Sequence, residues 1–158
     1  MAGELLKQMT GIDVLHVPYK SNPFAITDLI GGQIDFMFAD TSTAVPQING
    51  GKLRALGVSG TKRLASLPNV PTVDEAGVKG YDMSYWSAVY LPANAPQAVV
   101  KKLNEMFARA ATSPGVLGLL ASNSSTATHS TPEGLAAFQA EESLKWGRVI
   151  KAAGIQPE

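Results

Sequence analysis

The sequence predicts an α/β fold with a parallel β-α-β-α-β core, on three observations. Three near-continuous apolar runs, Ile12 to Val17, Ile34 to Ala39 and Leu53 to Val58, have the length and composition of strands covered on both faces. Each run is launched from glycine, in Thr10-Gly11, Gly31-Gly32-Gln33 and Gly50-Gly51-Lys52, where the left-handed backbone that ends a helix is open to glycine. The segments between the runs are helix-length, so one supersecondary unit recurs about every twenty residues. Right-handed crossovers would then bring all three strand ends to one sheet edge, where ligands of open α/β sheets bind.

Composition bounds the rest. A chain of 158 residues can bury a sizeable core in one compact domain but has no room for a second full one. Thirteen basic and thirteen acidic residues cancel, and no long run of either sign occurs, which sets aside nucleic acid and anionic membranes as partners. Cysteine is absent, which excludes disulfides and thiolate metal sites. The apolar runs are too short to span a bilayer. Met1 to Leu6 has neither the basic region nor the apolar stretch of a signal peptide, so none is expected in this chain.

Taken in order, Leu5, Leu6 and Met9 give a short amphipathic first helix from Gly3 to Thr10 with no capping residue before it. After the first run, Pro18 stops the strand and Pro23 suits the first turn of a second helix that turns Phe24, Ile26, Leu29 and Ile30 to the sheet. The second run ends in Asp40-Thr41-Ser42-Thr43, all capping residues, before a helix carrying Val45 and Ile48. The third ends in Ser59-Gly60-Thr61-Lys62-Arg63, so three polar loops gather at one edge. Thr72 and Glu75 have the spacing of a capping box, opening a single helical turn that Gly77 closes. Tyr81 to Leu91, aromatic and β-branched, reads as a strand. Val99, Val100, Leu103, Met106, Phe107 and Ala110 then share a helix face; a short helix starts at Pro114, and Thr131-Pro132 opens the last. The stripe of that last helix, Leu135, Phe138, Trp146, Val149 and Ala153, is broken only by Glu142, and Gly154 ends it.

The search for catalytic patterns is negative, which points away from an enzyme. The two histidines, His16 and His129, form no helix-spaced pair with a carboxylate, so no metal ligand set is present. Gly57-Val58-Ser59-Gly60 resembles a nucleophile elbow, but Thr61 stands where the closing glycine belongs. Gly51-Lys52 lacks the earlier glycine of a phosphate loop. No cofactor is implied.

Binding remains. The loops supply helix-start N–H groups, hydroxyls, an amide and the cations Lys20, Lys62 and Arg63, a set that suits a small carboxylate. The candidate ligand-binding residues are Tyr19, Lys20, Ser21, Asn22, Asp40, Thr41, Ser42 and Ser59. For Ser21, Asn22, Thr41 and Ser42, capping of their own helices explains the residue types equally well. Asp40 would repel a carboxylate and reads as a cap, or as a contact for an amine or a water.

His16-Val17-Pro18-Tyr19-Lys20, the Thr27 to Asp35 stretch TDLIGGQID, Gly51 to Leu56, Leu67 to Thr72, Glu75-Ala76-Gly77, Trp86, Lys145-Trp146-Gly147 and Ala152 to Ile155 together resemble one group. The group is the substrate-binding proteins of tripartite tricarboxylate transporters, the Bug family. The motifs agree in order and spacing over the whole length and correspond to the C-terminal half of family members. The resemblance implies a type 2 periplasmic-binding fold, two lobes closing on a small carboxylate and delivering it to a membrane permease, with a periplasmic location. On this basis residues 3–83 form a lobe-two-like α/β core. Residues 84–158 form a hinge-crossing strand and the C-terminal helices of an incomplete first lobe. The sequence departs from the family in the loop after Lys20, where Ser21-Asn22-Pro23-Phe24 replaces a glycine-containing stretch and reshapes the pocket wall. Two further expectations follow: the uncovered helices of the C-terminal part imply a homodimer, and one lobe alone binds carboxylates weakly. The alternative from another class is a truncated, self-associating α/β interaction module without transport function.

Overall fold

In the computed structural model, which describes residues 1–156, the ordered elements are six helices: α1 Ala2–Thr10, α2 Asn22–Ile30, α3 Thr41–Asn49, α4 Gln97–Ala111, α5 Pro114–Ser122 and α6 Pro132–Ala152. Their ends follow local chemistry. Gly11 closes α1 in the left-handed conformation at φ 71°. Ser21 precedes α2 with an extended backbone, and Pro23 sits in its first turn, where a missing N–H costs nothing. Asp40 caps α3 by accepting from the Thr43 N–H, and Thr131 does the same for Gly134 at the start of α6. Pro46 lies inside α3 and removes the N–H that would serve the carbonyl of Ser42.

The strands differ from expectation. Among the described residues no β-ladder forms over 12–17, 34–39, 53–58 or 81–91, and the single bridge pairs Val58 with Thr72 in parallel. Around it, the Val58 N–H donates to the Pro71 carbonyl at 2.9 Å, the Val73 N–H to the Val58 carbonyl at 2.9 Å and the Met83 N–H to the Ser59 carbonyl at 2.8 Å. The physical reason is that an apolar run reports a preference for burial, whereas a ladder needs a neighbouring backbone at hydrogen-bonding distance. Nor are the runs covered on both faces: Leu15 is 90% exposed, and Val17 and Leu56 are exposed too.

The chain divides into two units. The first comprises Met1–Ser84 with the end of α6 from Val149 onward. Its anchor is Tyr81, only 1% exposed, whose ring stacks on Phe38 at 6.0 Å and whose hydroxyl donates to the Ala2 carbonyl at 3.0 Å. Gln8 Nε2 donates to the Val149 carbonyl at 3.0 Å, tying α1 to the last turns of α6. The capping box is present: the Glu75 N–H donates to Thr72 Oγ1 at 3.0 Å and the Thr72 N–H to Glu75 Oε2 at 2.8 Å. Arg63 Nε donates to the same carboxylate oxygen at 2.8 Å and, with the Thr72 amide, holds Glu75 below the ordinary glutamate value.

The second unit spans Tyr85–Arg148 and contains α4, α5 and most of α6. Trp86 meets Phe138 edge to face at 5.2 Å, Tyr90 Oη donates to Gln139 Oε1 at 3.1 Å, and Asn104 Nδ2 donates to the Ser130 carbonyl at 2.9 Å. Glu142, the polar break in the α6 stripe, accepts from Trp146 Nε1 at 2.9 Å and from Trp86, with Lys145 Nζ at 3.5 Å. Burial pushes its carboxyl up, but these donors outweigh burial and hold it below the ordinary value of 4.5. A depressed carboxyl contributes stability that is fully present above its unfolded value and is lost as pH falls through the folded one. Trp86 and Trp146 are the two tryptophans of the chain, so tryptophan fluorescence should change as pH drops below about 4.5. Glu142→Gln should abolish that step, and an unchanged acid transition in the variant would refute this role. None of residues 85–148, all of them described, is fully buried.

Candidate functional site

The candidate site is built where α2 and α3 begin. Asp40 is its hub. Its Oδ1 accepts from Ser42 Oγ at 2.7 Å, from the Thr43 N–H at 3.0 Å and from Thr43 Oγ1 at 2.9 Å, while Oδ2 accepts from Asn22 Nδ2. Asn22 is the first residue of α2 and Asp40 the cap of α3, so this contact joins the two helix starts. Partial burial pushes the Asp40 carboxyl up, but the hydrogen bonds from Ser42, Thr43 and Asn22 prevail and hold it below the ordinary carboxylate value. Both oxygens are committed to internal donors. Of the two readings of Asp40, the cap is the one the geometry displays.

The start of α2 is different. Ser21 makes no side-chain cap hydrogen bond there, and Lys20 beside it is exposed. Tyr19 turns its hydroxyl to Asp28 Oδ2 at 2.8 Å, and that hydrogen bond holds the phenol above its ordinary value. Ser59 belongs to the Val58–Thr72 junction, where its carbonyl accepts from Met83. Thus Asn22, Asp40 and Ser42 share one hydrogen-bonded cluster, whereas Tyr19 and Ser59 are engaged with other segments. Thr41 opens α3 next to the hub.

Two cavities flank these residues. One, of about 500 Å³, runs between α2 and α3 and is lined by Pro23, Ile26, Ile30, Ser42, Pro46 and Lys52 among others. Its size lies in the range of small-molecule sites. Sequence reasoning singled out only Ser42 of this lining as a site residue, although the spacing of Pro23, Ile26 and Ile30 along one helix face was a readable signal. The other cavity, of about 400 Å³, is bordered by Asp74, Glu75 and Asp82 together with Thr61, Thr72 and Tyr81. Three carboxylates make it a poor place for an anion.

The family model described as "Tripartite tricarboxylate transporter family receptor" matches residues 1–155. The chain belongs to this family. Its fold is accordingly that of α/β binding proteins, and three solved structures resemble it. The Rhodopseudomonas palustris protein Rpa4515 with adipate shares 30% identity at a TM-score of 0.84, covering 99% of this chain and 52% of its own. The periplasmic binding protein BugD shares 30% identity at a TM-score of 0.80, covering 99% and 53%. MatC from Rhodopseudomonas palustris with bound malate shares 29% identity at a TM-score of 0.75, covering 94% and 52%. The chain spans 45% and 48% of the length of two curated relatives that it matches. The family is one of substrate receptors rather than of enzymes. No described helix is long and apolar enough to cross a membrane.

Proposed function

We propose that this chain is a solute-binding protein, or the half of one, for small carboxylates, serving a tripartite tricarboxylate permease from the periplasm. The observation that carries the reading is the Asn22–Asp40 contact, which brings two helix starts together in a member of a family whose solved relatives hold adipate and malate. Helix starts favour anions. Because Asp40 already fills the start of α3, the start of α2 is the place for a ligand carboxylate, with Ser21 and the amine of Lys20 as donors. Tyr19, Asn22, Thr41, Ser42 and Ser59 complete the proposed surroundings.

Binding by this chain alone should be weak. Each charged hydrogen bond contributes about 1.5–3 kcal/mol at most, and less where water reaches it, so two or three wet contacts amount to about 4 kcal/mol, near millimolar affinity. Isothermal titration with adipate, malate, citrate and glutamate is expected to give dissociation constants of about 1 mM, weakened further by Lys20→Ala. No heat and no rise in melting temperature with any of them at about ten times that concentration would overturn the carboxylate reading. A second reading, a self-associating module without transport function, is favoured by the absence of any fully buried residue in 85–148.

A further inference from the structure

Lys20 and Ser21, the donors proposed for a ligand carboxylate, are exposed and lie in a two-residue span that is held at both ends. On one side Asn22 is tied to Asp40. On the other, Tyr19 donates to Asp28 Oδ2 at 2.8 Å, across nine residues of chain and into the last turn of α2. Nothing local accounts for a carboxylate at that position. Aspartate is a poor helix former, the helix dipole disfavours an acid in the last turn, and α2 holds no other charged residue to pair with it. Asp28 is also half-buried, three residues after the buried Ala25 and so on the same helix face. A carboxylate drawn partly out of water needs a donor, and the Tyr19 hydroxyl supplies one. The anchor is firm, because the Asp28 carbonyl accepts from the Gln33 N–H at 2.8 Å where α2 ends.

We propose that Asp28 is a positioning residue for the carboxylate site: through Tyr19 it holds the Lys20–Ser21 span in place and touches no ligand itself. The proposal rests on the carboxylate reading of the α2 start. A donor that is already ordered loses less freedom when its ligand arrives, so a span fixed at both ends binds more tightly than one fixed only at Asn22. Asp28 and Asp40 thus play matching parts, each carboxylate holding one end of the span rather than meeting the ligand.

NMR of the full chain tests this with two readouts. Backbone order parameters of Lys20 and Ser21, measured without ligand, are expected to be about 0.85 in the wild type and below about 0.6 in Asp28→Ala and in Tyr19→Phe. Alanine is the better helix former, so α2 persists in Asp28→Ala. Asp28→Asn keeps an acceptor for the phenol and should restore the order. Shift titrations with adipate and malate should then give dissociation constants about fivefold larger in Asp28→Ala and Tyr19→Phe, and near the wild-type value in Asp28→Asn. The double variant Asp28→Ala with Tyr19→Phe should bind no worse than either single one, because the pair acts as a unit. Unchanged order parameters in Asp28→Ala overturn the proposal. So does weaker binding in Tyr19→Phe with Asp28→Ala unaffected, because Tyr19 then meets the ligand directly. A wild type that binds neither acid overturns the carboxylate reading and with it the role of Asp28 in binding, whereas a wild type that binds without the clamp overturns Asp28 alone.

Discussion

Tyr81→Ala is expected to destabilise the first unit by about 3–5 kcal/mol, the cost of deleting a buried aromatic ring. Among the described residues Tyr81 is the largest fully buried side chain, and the remaining buried apolar residues are Ala2, Ala25, Ile26 and Val149. The substitution removes the stack on Phe38 and the bond to the Ala2 carbonyl together. Against a total stability of about 5–15 kcal/mol, such a loss leaves the unit marginal. Tyr81→Phe keeps the ring and strands one carbonyl, so about 1–2 kcal/mol is expected. Urea unfolding followed by far-UV circular dichroism measures both. A loss below about 1 kcal/mol for the alanine variant would show that the first unit is held elsewhere. The phenol supplies a second readout: burial, with the Asp82 charge second, pushes it up to about 12. A raised value means that its stabilisation is complete below the unfolded value of about 10 and is lost as pH climbs from there to the folded one. Alkaline unfolding in that window should be blunted in Tyr81→Phe.

Asp40→Ala is expected to cost about 1–2 kcal/mol and to separate the starts of α2 and α3. The carboxylate serves one backbone N–H, two hydroxyls and an amide at once, so its removal leaves Thr43 uncapped and Asn22 without its partner. Asp40→Asn retains the cap and should recover most of the loss. Since the folded carboxyl is held low, its contribution is complete above the ordinary aspartate range and fades as pH falls through the folded value. Amide exchange at Thr43 compared between the wild type and both variants at neutral pH gives the measurement. Equal protection in Asp40→Ala would mean that the hub does not hold the helix start.

Helix boundaries were legible because their causes are local. Pro23, Pro114 and Pro132, the Asp40 and Thr131 caps, and Gly11 and Gly154 act within a few residues of where they stand. The Thr72 and Glu75 capping box was readable for the same reason. Strand pairing was not, because a ladder joins residues far apart: Val58 meets Thr72, while the other apolar runs, equally strand-like in composition, form no ladder. The family was legible from motifs dispersed along the chain, whose order and spacing carry information without any knowledge of contacts.

The sequence by itself determined the helix starts and stops, the neutral charge balance and membership in the tripartite tricarboxylate transporter receptor family. Only the tertiary structure decided that Asp40 is saturated by Asn22, Ser42 and Thr43, and that Glu142 breaks an apolar stripe because two tryptophans donate to it. It also decided that residues 85–148 enclose no core of their own. Propensity and capping depend on neighbours along the chain, whereas burial and the satisfaction of a polar group depend on which distant residues arrive in space.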